Sequence, residues 1–175
     1  MHTMNIPATP HNPFDWTAGY ASRRSPVFAR NIVSTSHPLA AQAGLRMLQN
    51  GGNAVDAAIA TQLALAVVYP AAGNIGGGGF MVAHLSNGQN ISIDYREKAP
   101  AKASRDMYLD KDGNAQLDLS QYGHLASGVP GTVAGLFASL KYAKLPFVKL
   151  IQPAIDLAEH GFPITAGQAA SFNSN

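Results

Sequence analysis

Cysteine is missing from this chain of 175 residues. That excludes disulfides, thiol nucleophiles and thiolate-held metals, and it leaves the redox compartment open. Charge is sparse as well: 13% of residues carry it, 12 Lys+Arg against 10 Asp+Glu, for a formal net charge of +2. Arg23-Arg24 is the one basic doublet, so the basic patch that nucleic acid or an anionic membrane surface demands is wanting. So is a long apolar run: Thr61 to Val68 is membrane-like only briefly before Tyr69-Pro70 ends it. The first twenty residues, MHTMNIPATPHNPFDWTAGY, hold prolines and polar residues where a signal peptide needs an apolar segment. The expectation is a cytoplasmic protein, or a periplasmic one if the start is misassigned, with neither membrane nor nucleic acid as partner.

What is present is the material of a globular domain. Hydrophobic residues make up 46% of the chain, ordinary for a protein with a core, and the length suits about one domain. Residues 1–30 read as an irregular arm. Pro7, Pro10, Pro13 and Pro26 break any periodicity there, while Phe14, Trp16 and Tyr20 could anchor the arm to a core. Residues 31–175 read as part of one domain. Ile32-Val33 suggests a short strand. Pro38 suits the first turn of a helix capped by Ser36 or His37; Leu39, Ala43, Leu45, Met47 and Leu48 follow at mixed helical spacing, and Gly51-Gly52 stops it. Asn53 caps a second helix, with Asp56 favouring its N-terminal dipole. Ala54 to Val68 is apolar or small nearly all round, which predicts burial on most sides.

The most informative stretch is Gly73 to Pro100, GNIGGGGFMVAHLSNGQNISIDYREKAP. Two β-favouring runs, Phe80 to Leu85 and Ile91 to Tyr95, flank Asn87-Gly88, which predicts a hairpin with a type I′ turn. Such a hairpin projects Arg96 and Glu97 from the end of its second strand, near the glycines that precede its first. A buried helix lying against a hairpin sheet implies a layered α+β or α/β domain. Beyond it, Lys102 to Gln121 is polar and turn-rich, and Lys111 to Asn114 is a plain turn. Gly128-Val129-Pro130-Gly131 opens a further helix in which Val133, Leu136, Phe137 and Leu140 mark one buried face at i, i+3, i+4 and i+7. Pro153 to His160 forms another, stopped by Gly161, and Thr165 to Asn175 closes nothing. One hairpin and one weak strand are too few to cover these helices, so the chain reads as cut off from a larger whole.

Candidate chemistry is thin. The glycine loop Gly73 to Gly79 fits neither G-x-G-x-x-G nor a Walker loop, and it follows a helix and precedes a strand, the reverse of nucleotide-binding order; close backbone packing is the better account. His2, His11, His37, His84, His124 and His160 offer no i, i+4 pair, so neither metal nor cofactor is expected. No G-x-S-x-G elbow occurs, and Thr132, at a helix start, reads as a cap. Arg96 has two readings: a guanidinium aimed at a ligand carboxylate, or one member of a surface network with Asp94 and Glu97.

Taken in order, five stretches resemble the γ-glutamyltransferase (γ-glutamyltranspeptidase) family: Gly51-Gly52-Asn53-Ala54-Val55-Asp56-Ala57-Ala58, Gly73-Asn74-Ile75-Gly76-Gly77-Gly78-Gly79-Phe80, Asp94-Tyr95-Arg96-Glu97-Lys98-Ala99-Pro100, Gly128-Val129-Pro130-Gly131-Thr132 and Pro153-Ala154-Ile155. The resemblance implies an N-terminal nucleophile hydrolase with an αββα sandwich, present here only in part, as the first portion of a large subunit. It further implies a self-cleaving precursor whose small subunit carries an N-terminal threonine nucleophile, outside this chain. The implied substrates are glutathione and other γ-glutamyl compounds, with water, an amino acid or another amine as acceptor. On the same resemblance Arg96 holds the α-carboxylate of the γ-glutamyl group and Glu97 supports it, and no catalytic residue lies in this chain. A related acylase acting on a glutaryl amide or poly-γ-glutamate, or a remnant serving only as an interaction module, are the alternatives.

Overall fold

Capping chemistry sets the helix boundaries. In the computed structural model, which describes residues 28–174, α1 spans Pro38–Gln49 with His37 as its cap, the imidazole Nδ1 accepting from the Leu39 N–H at 3.2 Å. The helix closes as a Schellman motif: Gly52 N donates to Met47 O, and Gly51 N to Leu48 O, at 2.9 and 3.3 Å. Asn53 then caps α2 (Ala54–Val68) through a capping box with Asp56. Val55, Ile59, Ala60, Leu63, Ala64 and Val68 are all buried, as the apolar composition of α2 predicts. The buried face of α1 is Ala40, Ala43, Gly44 and Met47, at i, i+3, i+4 and i+7, whereas Leu45 is exposed. Small residues allow α1 to lie close to α2, so that a Cβ on Gly44 would meet the Thr61 hydroxyl.

β1 (Phe80–His84) and β2 (Asn90–Asp94) form an antiparallel hairpin, Phe80 opposite Asp94 and His84 opposite Asn90. Among the described residues it is the whole sheet; the strand expected at Ile32-Val33 is irregular backbone. The turn also departs from expectation. Only Gly88 takes positive φ, at 83°, and Asn87 does not. Gly88 N donates to Leu85 O and Leu85 N to Gln89 O, while the Asn87 side chain accepts from Gln89 N at 3.0 Å. The Asn87 amide thus organises the loop by a local Asx bond, and one left-handed glycine suffices.

Downstream, α3 (Leu117–Gln121) interrupts the segment read as turns, and the Asp110 carboxylate organises the turn before it, accepting from Asp112 N and Asn114 N. α4 (Thr132–Ser139) buries Thr132, Gly135, Leu136 and Ser139, while Val133 and Phe137 stay about half exposed. The buried stripe is therefore rotated towards small and polar residues, because an aromatic ring on the hairpin occupies the space beside Gly135. α5 (Phe147–His160) starts six residues before Pro153, which sits buried inside it. Its apolar face, Leu150 and Ala154, completes a core with Met47, Val55, Ile59, Leu63 and Leu136.

These elements belong to one unit, Asn31–Phe162. In the remaining described segment, α6 (Ala166–Asn173) has a capping box between Thr165 and Gln168, so the C-terminal stretch forms a helix where none was expected. The arm assigned to residues 1–30, with its anchors Phe14, Trp16 and Tyr20, lies almost wholly outside the described residues. No described helix is long and apolar enough to cross a membrane.

Candidate functional site

Three of the motifs meet around the residue that follows β2. Tyr95 continues the hairpin pairing: Tyr95 N donates to Gly79 O at 3.0 Å, and Gly79 N to Tyr95 O at 3.4 Å. The Tyr95 ring turns inward and is buried. Its hydroxyl donates to Gln62 Oε1 of α2 at 3.1 Å, with the Phe80 carbonyl at 3.4 Å as a second acceptor. A Cβ on Gly135 of α4 would collide with this ring, and one on Gly79 would lie 2.6 Å from it.

The backbone of Arg96 is held by glycines. A Cβ on Gly78 would lie 2.7 Å from Arg96 Cα and 2.8 Å from Glu97 N; one on Gly131 would lie 2.7 Å from Arg96 O and would clash with Tyr95 O. Real Cβ atoms do not come that close to a backbone, so both positions require glycine on space alone. Lys98 and Val129 then exchange backbone hydrogen bonds of 3.1 and 2.8 Å, which joins the Arg96 strand end to the Gly128–Thr132 motif. The close-packing account of the glycine loop therefore holds at Gly78 and Gly79, and at Gly73, which lies against the Leu65 carbonyl.

Beside this tightly packed backbone the Arg96 guanidinium is accessible. Its side chain is 66% exposed, its Nε lies 4.0 Å from Glu97 Oε2, and its Cζ sits 5.9 Å from the centre of the Phe80 ring. Asp94 does not pair with the guanidinium; its carboxylate accepts from the Arg96 backbone N–H at 3.0 Å. The surface network considered from the sequence thus reduces to one long contact with Glu97. A cation on a fixed stem, an aromatic face beside it and a carboxylate 4 Å away can orient a zwitterion, carboxylate to Arg96 and ammonium to Glu97.

Two residues that hold the site together were read otherwise in the sequence. Thr132 is not the cap of α4. Gly131 is, without a side-chain cap bond, and the Gly77 carbonyl takes over by accepting from Gly131 N at 2.8 Å and Thr132 N at 3.0 Å. The fully buried Thr132 hydroxyl donates instead to Asn74 Oδ1 at 2.6 Å, and the same oxygen accepts from Gly77 N at 2.9 Å. Asp56 does more than favour a dipole. Fully buried, it accepts from Asn53 N, Lys144 N and Leu145 N at 2.7 to 3.1 Å, tying α2 to the chain between α4 and α5. An isolated glycine inside a helix, Gly135, was the sequence signal for close approach of a neighbour. His84 bonds Asn90 on the exposed face of the hairpin and lies outside this group.

The Gamma-glutamyltranspeptidase family model matches residues 40–175. A glutathione hydrolase proenzyme of Pseudomonas sp. (strain A14) is 51% identical over 150 residues, 85% of this chain and 26% of that protein. The glutathione hydrolase proenzyme of Escherichia coli (strain K12) is 52% identical over 139 residues, 78% of this chain and 24% of that one. The crystal structure of Helicobacter pylori γ-glutamyltranspeptidase superimposes with a TM-score of 0.80 at 53% identity, covering 86% of this chain and 44% of that chain. This chain thus spans about a quarter of the length of the curated relatives it matches. The α+β arrangement is the N-terminal nucleophile hydrolase type of these neighbours, held here in part, and the chain belongs to the gamma-glutamyltranspeptidase family.

Proposed function

We propose that this chain supplies the α-carboxylate clamp of an enzyme that cleaves and transfers the γ-glutamyl group of glutathione and related amides. The observation that carries this reading is the state of Arg96: a backbone packed against glycine, with a guanidinium two-thirds exposed and only one long ionic contact. A planar fork of donors matches a carboxylate through two parallel N–H···O bonds, and fixing that end of the substrate aims its γ-carbonyl at a nucleophile. Glu97 receives the substrate ammonium or braces the guanidinium.

The nucleophile is the N-terminal threonine of a second chain, in keeping with relatives named as proenzymes. Its hydroxyl oxygen attacks the γ-carbonyl carbon while its own α-amine takes the hydroxyl proton. Collapse of the tetrahedral adduct breaks the C–N bond, the proton passes to the leaving amine, and a γ-glutamyl ester remains. Water or an acceptor amine then attacks that ester and restores the threonine.

The test is Arg96→Ala in the two-chain enzyme, assayed with γ-glutamyl-p-nitroanilide. KM should rise by about two decades, the loss expected when a charged, hydrogen-bonded partner is removed, and Arg96→Lys should recover part of it because a point charge replaces the fork. An unchanged KM rejects the assignment. A glutaryl anilide, which keeps the carboxylate but lacks the α-ammonium, should be a poorer substrate; turnover as efficient as that of the γ-glutamyl anilide would favour the acylase reading instead.

A further inference from the structure

We infer that Thr132 is a positioning residue for Arg96, acting through Asn74 and the Gly77–Gly78 backbone to set affinity for the α-carboxylate. The inference rests on the reading of Arg96 as the carboxylate clamp.

One oxygen, Asn74 Oδ1, accepts from both the Thr132 hydroxyl and the Gly77 N–H, while the Gly77 carbonyl accepts from the N–H groups of the cap residue Gly131 and of Thr132, the first residue of α4. These bonds form a closed clasp between the glycine loop and the start of α4. Gly78, next to the clasp, and Gly131, a member of it, both pack against the Arg96 backbone. The clasp therefore holds the glycine loop and the start of α4 together on either side of the Arg96 backbone. Thr132 is wholly buried, so its hydroxyl has no contact with substrate and no solvent to replace its partner. Capping does not explain it, because the cap function belongs to the Gly77 carbonyl. A side chain needed only for packing would serve as well as valine, which has the same shape; the hydroxyl is what the clasp uses.

The experiment compares two substrates in the two-chain enzyme: γ-glutamyl-p-nitroanilide, and 4-aminobutyryl-p-nitroanilide, which keeps an amine but lacks the α-carboxylate. Thr132→Val should raise KM for the γ-glutamyl substrate about tenfold, a loss in keeping with slight misplacement of a binding group, and leave kcat within twofold. KM for the 4-aminobutyryl substrate should not move, and Thr132→Ser, which restores the hydroxyl, should restore discrimination between the two. If Thr132→Val fails to mature, Asn74→Ala removes the acceptor of the same hydroxyl and is measured instead, with the same expectation. Equal effects on both substrates, a fall in kcat at constant KM, no effect at all, or a serine variant that behaves as valine would each overturn the proposal. Arg96→Ala is run in parallel. If it abolishes discrimination while Thr132→Val does not, the positioning role alone fails; if it leaves discrimination intact, the carboxylate clamp fails and the positioning role with it.

Discussion

At the scale of single residues, the site is governed by buried polar atoms and by side chains that are absent. Asp56 accepts from three backbone N–H groups in a place without solvent. Asparagine there would lose the charge and turn an N–H₂ towards donors, so Asp56→Asn should cost about 2–3 kcal/mol, seen as a Tm lower by several degrees. Asp56→Asn with an unaltered Tm would mean that the Lys144–Leu145 backbone finds other partners. Gly135 works by omission: a methyl group would enter the volume of the Tyr95 ring. Gly135→Ala should cost about 1–3 kcal/mol of overpacking, again as a Tm shift; an unaltered Tm would mean that the Tyr95 ring gives way without cost.

Elements carry their own chemistry. The cap of α1 is an imidazole whose Nδ1 accepts a hydrogen bond from the Leu39 N–H, which requires that nitrogen to be unprotonated and the ring neutral. Burial lowers the pKa of His37 from the ordinary 6.5, and its ring packs edge-on against Phe162 at 6.1 Å. The folded state thus binds its proton at lower pH than the unfolded state does. Stability from this group is complete above pH 6.5 and is lost as pH falls towards the folded pKa. Tm should fall between pH 7.5 and 5.5, and His37→Asn, which caps without titrating, should flatten that part of the profile. A slope unchanged in the variant would assign the dependence elsewhere.

The same scale shows what the sequence made legible. Helices with strong punctuation were readable: Pro38 and Gly51-Gly52 bounded α1, and Asn53 with an apolar run bounded α2. The hairpin was readable from alternation about Asn87-Gly88, although its turn was not, since the Asx bond of Asn87 competes with a left-handed conformation. Periodicity misplaced the buried face of α4, because Phe137 and Val133 look more apolar than Gly135 and Ser139 yet the Tyr95 ring claims the space on the glycine side. The start of α5 was hidden by Pro153, which a helix carries inside only when burial offsets its missing N–H. At the candidate site, Arg96 and Glu97 stand out in the sequence by charge and motif, and the structure sets their side chains 4.0 Å apart. Asn74 and the hydroxyl role of Thr132 were not, because a bond between residues 58 apart in sequence leaves no local pattern.

At the scale of the molecule, the chain covers 44% of the Helicobacter pylori chain it superimposes on, and the chemistry proposed needs a threonine from a second chain. The isolated 175-residue chain should therefore show no hydrolysis of γ-glutamyl-p-nitroanilide above a heat-killed control; turnover would mean that a nucleophile lies within it. The hairpin leaves Phe80 and Val82 on its open face 64% and 82% exposed, a face suited to cover by further chain.

One feature of that hairpin reaches further than its size suggests. Its register is set at both ends, by the Leu85–Gln89 loop and by the mutual Tyr95–Gly79 pair. A slip of one residue exchanges the faces of a strand and, in one direction, brings Glu97 to the place of Arg96. On the proposed reading, the α-carboxylate would then face a carboxylate where the guanidinium should be. If Arg96 is the clamp proposed above, errors of pairing in this hairpin would silence a molecule rather than weaken it, so a preparation containing them would show a reduced fraction of binding-competent molecules, each with normal affinity.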